Sequence, residues 1–234
     1  MAGGDARGVE MCGRYALYGP VSRLGAHFGV SFEGFDFEPR YNVSPLQFAP
    51  VIRENSGSRQ AAMLRWGLLP SWARDPALAN RLINARSESA AEKPSFRAAL
   101  RSRRCLVPVD GFYEWRKSGS GKQPFLFQLA SGEPMALAGL WECWKGADGE
   151  ALPTFTILTT SANALLATFH ERMPVILPPE TWGLWLNPSR TPQQLAPMMV
   201  PYNASLMTAR PVSRRLGSPR NEGAHLLEAD DPAQ

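Results

Sequence analysis

The chain has 234 residues, 44% of them hydrophobic and 10% aromatic, enough apolar material for a substantial core, so disorder throughout is excluded. Twenty-five Lys and Arg against 21 Asp and Glu give a formal charge of +4, which mildly favours a polyanionic partner without requiring one. The first ten residues lack the apolar run of a secretory signal and no stretch reaches about 18 uninterrupted apolar residues, so a soluble, intracellular protein without a membrane partner is expected.

In chain order, residues 1–10 read as a disordered tail, and the acidic end "LEADDPAQ" reads as another. A short strand is expected after Cys12. In "VSRLGAHF", Val21, Leu24 and Phe28 share one helical face. Strands follow in "QAAMLRWGLL", "RCLVPVDGFYEWRK", "KQPFLFQLA", "PMALAGLWECWK" and "PTFTILTTSA", separated by turn-forming clusters such as "SGSG", "SGEP" and "GADGE". Their spacing suggests sequential antiparallel pairing. Helices are expected at "SANALLATFH", with Ser161 as N-cap, at "PETWGLWL", with proline in the first turn, and at "TPQQLAPMM". In the last, Thr191 and Gln194 have capping-box spacing. The expected fold is α+β, with a twisted, barrel-like antiparallel β core and short peripheral helices in a single compact domain.

The three cysteines, Cys12, Cys105 and Cys143, contain no C-x-x-C pair, and the three histidines, His27, His170 and His225, are far apart. Neither a disulfide framework nor a metal site is expected, and no cofactor is implied. A lone cysteine is more often a small buried hydrophobe than a nucleophile, and Cys105 and Cys143 are read that way. Cys12 differs because it follows Met11, a residue that can itself start a chain. If Cys12 is the first residue of the working protein, it carries a thiol and an α-amine of ordinary pKa about 7.7–8.0 on adjacent carbons. Such an amine forms a Schiff base with an aldehyde, and the thiol closes on that imine to a five-membered thiazolidine. An interior cysteine cannot do this, because its nitrogen is tied up in an amide.

Three other polar residues stand out. Asn84 lies with Arg86 in "LINARSES". Glu114 lies between Tyr113 and Trp115, where it either faces solvent or is buried with a raised pKa suited to proton transfer. His170 closes the "SANALLATFH" segment, a position open to a C-cap or surface residue as well as to a catalyst.

The segments "MCGRY", "RYNVSP", "RWGLLPSWA", "LINARSES", "RRCLVPVDGFYEW", "KQPF", "AGLWE", "TILTTSAN" and "HERMPVIL" occur in the order found in the SRAP family, the abasic-site processing proteins first called SOS response-associated peptidases. The resemblance spans about residues 11–228. It implies an extension over 1–11 that is absent or removed, a domain over 12–228 and a flexible tail over 229–234. It implies a DNA-repair enzyme, a monomer in the cytoplasm or on the nucleoid, that holds single-stranded DNA or single-strand to double-strand junctions in a basic groove. Through an N-terminal cysteine it forms a covalent DNA-protein cross-link with the ring-opened abasic sugar.

Carried over by motif, Cys12 is the nucleophile and Asn84 orients the sugar. Glu114 moves protons during ring opening and thiazolidine closure, and His170 handles protons around the Schiff base, its reversal and a strand-cleaving lyase reaction. Arg14, Arg86 and Arg172 resemble the backbone-binding arginines, and Trp72 resembles an aromatic of the DNA groove. Asn42 and Pro45 fall beside that groove, and Thr159 falls near the abasic sugar. The sequence departs from the family in having Glu171 where Asp usually follows the histidine, and in the residues ahead of Cys12. Two other readings are a thiol peptidase acting on protein substrates and a non-catalytic module for single-stranded or modified DNA.

Overall fold

The computed structural model describes residues 12–230 apart from positions 33, 36, 37 and 120. Strand β1 (Tyr15–Leu17) leads into helix α1 (Val21–Phe28), which buries Leu24 and Phe28 and ends at Gly29 with φ 64°, a left-handed cap that glycine adopts without a Cβ clash. Strands β2 (Arg40–Val43), β3 (Phe48–Asn55) and β4 (Ser58–Trp66) precede a loop containing a 3-10 turn. The chain then forms β5 (Asn84–Arg86), α2 (Ser87–Ala90) and α3 (Arg97–Ser102).

The expected run "RCLVPVDGFYEWRK" is two strands, β6 (Arg104–Val109) and β7 (Gly111–Ser118). The break falls at Asp110, whose buried carboxylate accepts from the amides of Tyr18 and Gly19 at 2.6 and 2.7 Å. A Cβ on Gly111 would lie 2.6 Å from Leu126 Cδ1 and 2.8 Å from the Phe127 carbonyl, so only glycine lets the chain cross here. Strands β8 (Gly121–Leu129), β9 (Met135–Lys145) and β10 (Ala151–Ser161) follow as expected.

The helix expected at "SANALLATFH" is instead a single 3-10 turn, Leu166–Thr168. Ser161 cannot cap it because it pairs with Arg172 at the end of β10; the Asn163 side chain accepts from the Leu166 amide in its place. Strands β11 (Arg172–Pro174) and β12 (Ile176–Leu177) precede α4 (Trp182–Leu186) and α5 (Pro192–Leu195), and β13 (Met207–Pro211) is the last strand. The Thr191 and Gln194 capping box at α5 is formed in both directions.

Strands β10, β4, β3, β6 and β9 pair in a closed ring. Four of these pairings are antiparallel, but β4 and β5 both run parallel to β10, which corrects the expectation of sequential antiparallel strands alone. A second, open sheet in the order β13-β8-β7-β1-β2 is antiparallel throughout. The fold is thus α+β, a barrel-like core with short peripheral helices. Among the described residues no helix is long and apolar enough to cross a membrane.

One buried cation holds the periphery to the barrel. Arg104, 3% exposed, donates to the carbonyls of Leu100 and Arg101 at the end of α3 and to those of Trp185 and Asn187 at the end of α4. Two helix C-termini therefore converge on one guanidinium, where backbone partial charge is negative. Arg104→Met keeps the aliphatic length but strands these acceptors, and is expected to cost about 3 kcal/mol, a fall of roughly 10 °C in melting temperature by calorimetry.

Of the C-terminal segment expected as a tail, Asp230 accepts from the Ser213 hydroxyl and the Arg214 amide. Residues 1–11 and 231–234 lie outside the described residues.

Candidate active site and nucleic-acid interface

Cys12 sits just before β1, 1% exposed, with φ 41°, a left-handed conformation that costs a non-glycine residue energy. Its backbone nitrogen donates to Glu114 Oε1 at 2.9 Å. Glu114 lies on β7 and is 5% exposed. Strand alternation puts it on the same face as Phe112, toward the main core, while Tyr113 packs on the other side of the sheet. Both faces of β7 are covered, so the carboxyl is buried, not on a solvent face.

Burial pushes the Glu114 carboxyl from 4.5 up to about 7, against the opposing pull of the Cys12 and Trp115 amides. Burial, and then the neighbouring Glu114 charge, pushes the Cys12 thiol well above its ordinary value. At neutral pH the pair therefore comprises a protonated thiol and a carboxyl near half-protonation.

A second set of residues gathers at the end of β10. Asn84 and Arg86 on β5 pair with Ile157 and Thr159, and Thr159 also pairs with Pro174 on β11. The buried Thr159 hydroxyl donates to the Ala85 carbonyl at 3.4 Å. Arg172 donates to the Thr159 carbonyl at 2.7 Å and grips Glu88 with both terminal nitrogens at 2.7 and 2.8 Å. That grip holds the Glu88 carboxyl below its usual range. His170 closes the 3-10 turn, donating its amide to Leu166 and accepting the Arg172 amide on Nδ1 at 3.1 Å. Glu171, the departure from the family pattern, is exposed.

Aromatic packing ties the two sets together. Phe169, next to His170, packs edge-on against Phe125, the cross-strand partner of Glu114, with ring centroids 4.9 Å apart. On the other side, Trp66 packs 5.2 Å from Tyr15 and donates its indole nitrogen to the Ile83 carbonyl, adjacent to Asn84. These contacts link the segments that carry Cys12 and Glu114 to those that carry Asn84 and His170.

The remaining predicted residues divide. Arg14 donates to Asn42 Oδ1 at 2.7 Å and to the Leu216 carbonyl at 2.9 Å, and burial lowers its pKa. Asn42, buried on β2, passes its amide on to the carbonyls of Ser218 and Asn221. Arg14 and Asn42 thus dock the 216–221 segment against β2, with Pro45 half-buried in the following turn. Arg86 is exposed, and its guanidinium makes no hydrogen bond or ion pair among the described residues.

Trp72 is 57% exposed, on a loop whose Ala73 carbonyl accepts from the Trp144 indole at 2.7 Å. It opens onto a cavity of about 480 Å³ also lined by Arg74 and Arg81, two cations that the sequence reading missed. Their signal was the "WARDPALANR" segment itself, in which both arginines flank a proline-initiated turn that Asp75 caps at 2.8 Å. Among the described residues no group of three or more His, Cys, Asp and Glu side chains is arranged to hold a metal ion.

The family model described as SOS response associated peptidase (SRAP) matches residues 11–219. A Bacillus subtilis protein named abasic site processing protein YoaM is 40% identical over 225 residues, covering 94% of this chain and 99% of that protein. Abasic site processing protein YedK of Escherichia coli is 32% identical, covering 93% of this chain and 99% of its own. Abasic site processing protein HMCES of Xenopus tropicalis is 30% identical, with 82% of this chain and 67% of that protein covered. A crystal structure of a protein from Bacteroides thetaiotaomicron superposes with a TM-score of 0.85 at 27% identity, over 94% of this chain and all of that one. A match over most of the chain, shared by relatives of the same name in bacteria and a vertebrate, places this chain in the SRAP family.

Proposed function

We propose that the protein captures abasic sites in single-stranded DNA as a covalent thiazolidine through Cys12, working as a monomer in the cytoplasm or on the nucleoid. The observation that carries this reading is the Cys12 nitrogen held 2.9 Å from a buried carboxyl whose pKa is about 7. Once Cys12 is the terminal residue, that nitrogen is an α-amine beside an acid able to give and take a proton near neutrality.

The neutral amine adds to C1′ of the ring-opened sugar aldehyde, and the carbinolamine loses water to give an imine, with Glu114 protonating the departing hydroxyl. The thiol then adds to the imine carbon and its proton passes to the imine nitrogen, closing the ring. Asn84 orients the sugar, and His170 serves the proton steps of imine reversal and of strand cleavage by the lyase route. Arg14, Arg86 and Arg172 accompany the DNA backbone, with Asn42, Pro45 and Thr159 shaping the groove, while Trp72 offers a stacking face to an unpaired base.

The free amine arises either by initiation at Met11 with removal of that methionine or by cleavage of the Met11–Cys12 bond. Initiation at Met11 is the simpler route; in the other, Sγ attack on the preceding carbonyl moves the acyl group from nitrogen to sulfur, and hydrolysis of that thioester releases residues 1–11 and the amine together. This is the one peptidase activity the reading includes, connected with an SOS response role. Intact mass spectrometry before and after incubation with an oligonucleotide bearing one abasic site tests the whole reading. A mass beginning at Cys12 plus a one-to-one adduct is expected; a Cys12 terminus with no adduct defeats it.

Arg172 bears a second test. With both terminal nitrogens on Glu88, it meets a phosphate only if Glu88 gives way. Because the Glu88 side chain is 53% exposed and solvent screens that end of the pair, it is worth about 1 kcal/mol although Arg172 is only 11% exposed. Glu88→Gln is therefore expected to tighten binding of single-stranded DNA by about fivefold at most, seen by fluorescence anisotropy at low salt.

A further inference from the structure

A concave basic site lies apart from every residue assigned so far. Arg97, Arg101 and Arg190, with Ser189, Thr191 and Gln193, line a cavity of about 310 Å³ that no acidic side chain lines. Arg97 and Arg101 stand four residues apart on α3, where like charges repel and cost a helix a few tenths of a kcal/mol. Among the described residues, none of the three guanidinium groups has a hydrogen bond or ion pair, and their concentration in one hollow does nothing for the fold.

The walls of the hollow are nevertheless fixed. Buried Arg104 bonds Leu100 and Arg101 on one wall and Trp185 and Asn187 at the foot of the other, riveting α3 to the 188–193 loop. Asn187 accepts the Ser189 amide at 2.9 Å, and the Thr191 and Gln194 capping box holds the far end. The arginines are thus presented on a preorganised frame.

The hollow also adjoins the proposed DNA groove. Ala91 lines it, and Ala91 is joined to exposed Arg86 by α2, a span of roughly 8 Å at helical rise. Charge, planar donors and this continuity fit the phosphates of a nucleic-acid strand better than an isolated anion.

We propose that Arg97, Arg101 and Arg190 form a second phosphate-binding subsite, which carries the DNA strand beyond the abasic nucleotide and past Arg86. The inference rests on the abasic-site reading above and extends it to how much of the strand is held.

The test compares the full chain with the triple variants Arg97→Gln/Arg101→Gln/Arg190→Gln and Arg97→Lys/Arg101→Lys/Arg190→Lys. Each is measured by anisotropy over a salt series on a short abasic oligonucleotide and on one extended by roughly ten nucleotides on either side, within the span of a single-strand site. Each lost single-strand phosphate contact removes about 0.7 from the slope of log affinity against log salt, so the glutamine variant is expected to lose about 2 from the slope on the extended oligonucleotide. With the two proteins equal at 1 M salt, that corresponds to about 100-fold weaker binding by the glutamine variant than by the parent at 0.1 M. Binding and adduct formation on the short oligonucleotide are expected to be unchanged, and the lysine variant is expected to keep most of the slope.

An unchanged slope for the glutamine variant overturns the subsite, including the case in which the hollow serves an acidic protein partner. Equal losses in the lysine and glutamine variants, or on the short and extended oligonucleotides, also overturn it, because the effect is then structural. Failure of the unsubstituted protein to form any adduct is a separate result, and it removes the abasic-site reading itself.

Discussion

Cys12→Ala is expected to abolish the covalent adduct with abasic DNA while leaving reversible binding of the same oligonucleotide within about twofold. Expressed from Met11, so that methionine removal supplies the terminus without help from Sγ, the alanine variant keeps an α-amine and an imine still forms, but nothing closes on it. The imine hydrolyses when the DNA is heated and is captured only if borohydride is added. Cys12→Ser sharpens the test, because a hydroxyl on the same carbon closes to a less stable five-membered ring. The order of heat resistance should therefore run cysteine, serine, alanine on denaturing gels. If the alanine variant retains the full heat-stable adduct, another nucleophile is responsible and Cys12 is merely a buried hydrophobe. Stability is not the confounder: the side chain is 1% exposed, and losing one sulfur from that position costs about 1 kcal/mol.

How much of this was legible beforehand depended on whether local pattern or distant pairing decided the matter. Helix α1 and the strands β8, β9 and β10 could be read because one face or both are apolar at the right period, and the Thr191 capping box because it is a four-residue signal. The break between β6 and β7 was not legible. Asp110 gains its role from amides of Tyr18 and Gly19 far up the chain, and Gly111 from the crowding of β8. Ser161 illustrates the same limit, since a favourable N-cap sequence lost to the pairing of β10 with β11. Ring closure through the parallel β4–β10 contact joins residues too distant for any window to relate.

The candidate site divides similarly. Motif order brought out Cys12, Asn84, Glu114 and His170, but alternation could not decide which way Glu114 faces, because β7 has a covered face on each side. Nor could it reveal that Arg14 and Arg172 already have protein partners. The hollow beside α3 was half visible in the spacing of Arg97 and Arg101; Arg190 joins them only through the packing that Arg104 holds in place.

Glu114→Gln is expected to trade function for stability, with each effect following its own pH dependence. The carboxyl is raised from 4.5 to about 7 in the folded protein, so between those values the native state binds more protons than the unfolded chain. Stability attributable to this group is therefore greatest below about pH 4.5 and is lost as pH rises through 7. The shift corresponds to about 3 kcal/mol, the most that glutamine can restore. Thermal melts should show the variant more stable than the parent at pH 8 and no more stable at pH 4.5.

Activity moves the other way. Adduct formation needs a neutral amine, whose ordinary pKa is about 7.7–8.0, together with a protonated acid; a charged amine beside Glu114 pulls the carboxyl below the value it has beside the Cys12 amide, so the parent rate is expected to pass through a maximum set by the two together. Because the amine and carboxyl lie within hydrogen-bond distance, the two limbs belong to the pair and not to either group alone. Glutamine removes the acid, lowering the rate by about 10²- to 10⁴-fold and erasing the fall at high pH while the rise from the amine remains. A variant that is stabilised at pH 8 yet keeps the parent's bell-shaped profile would show that Glu114 is buried for reasons unconnected with proton transfer.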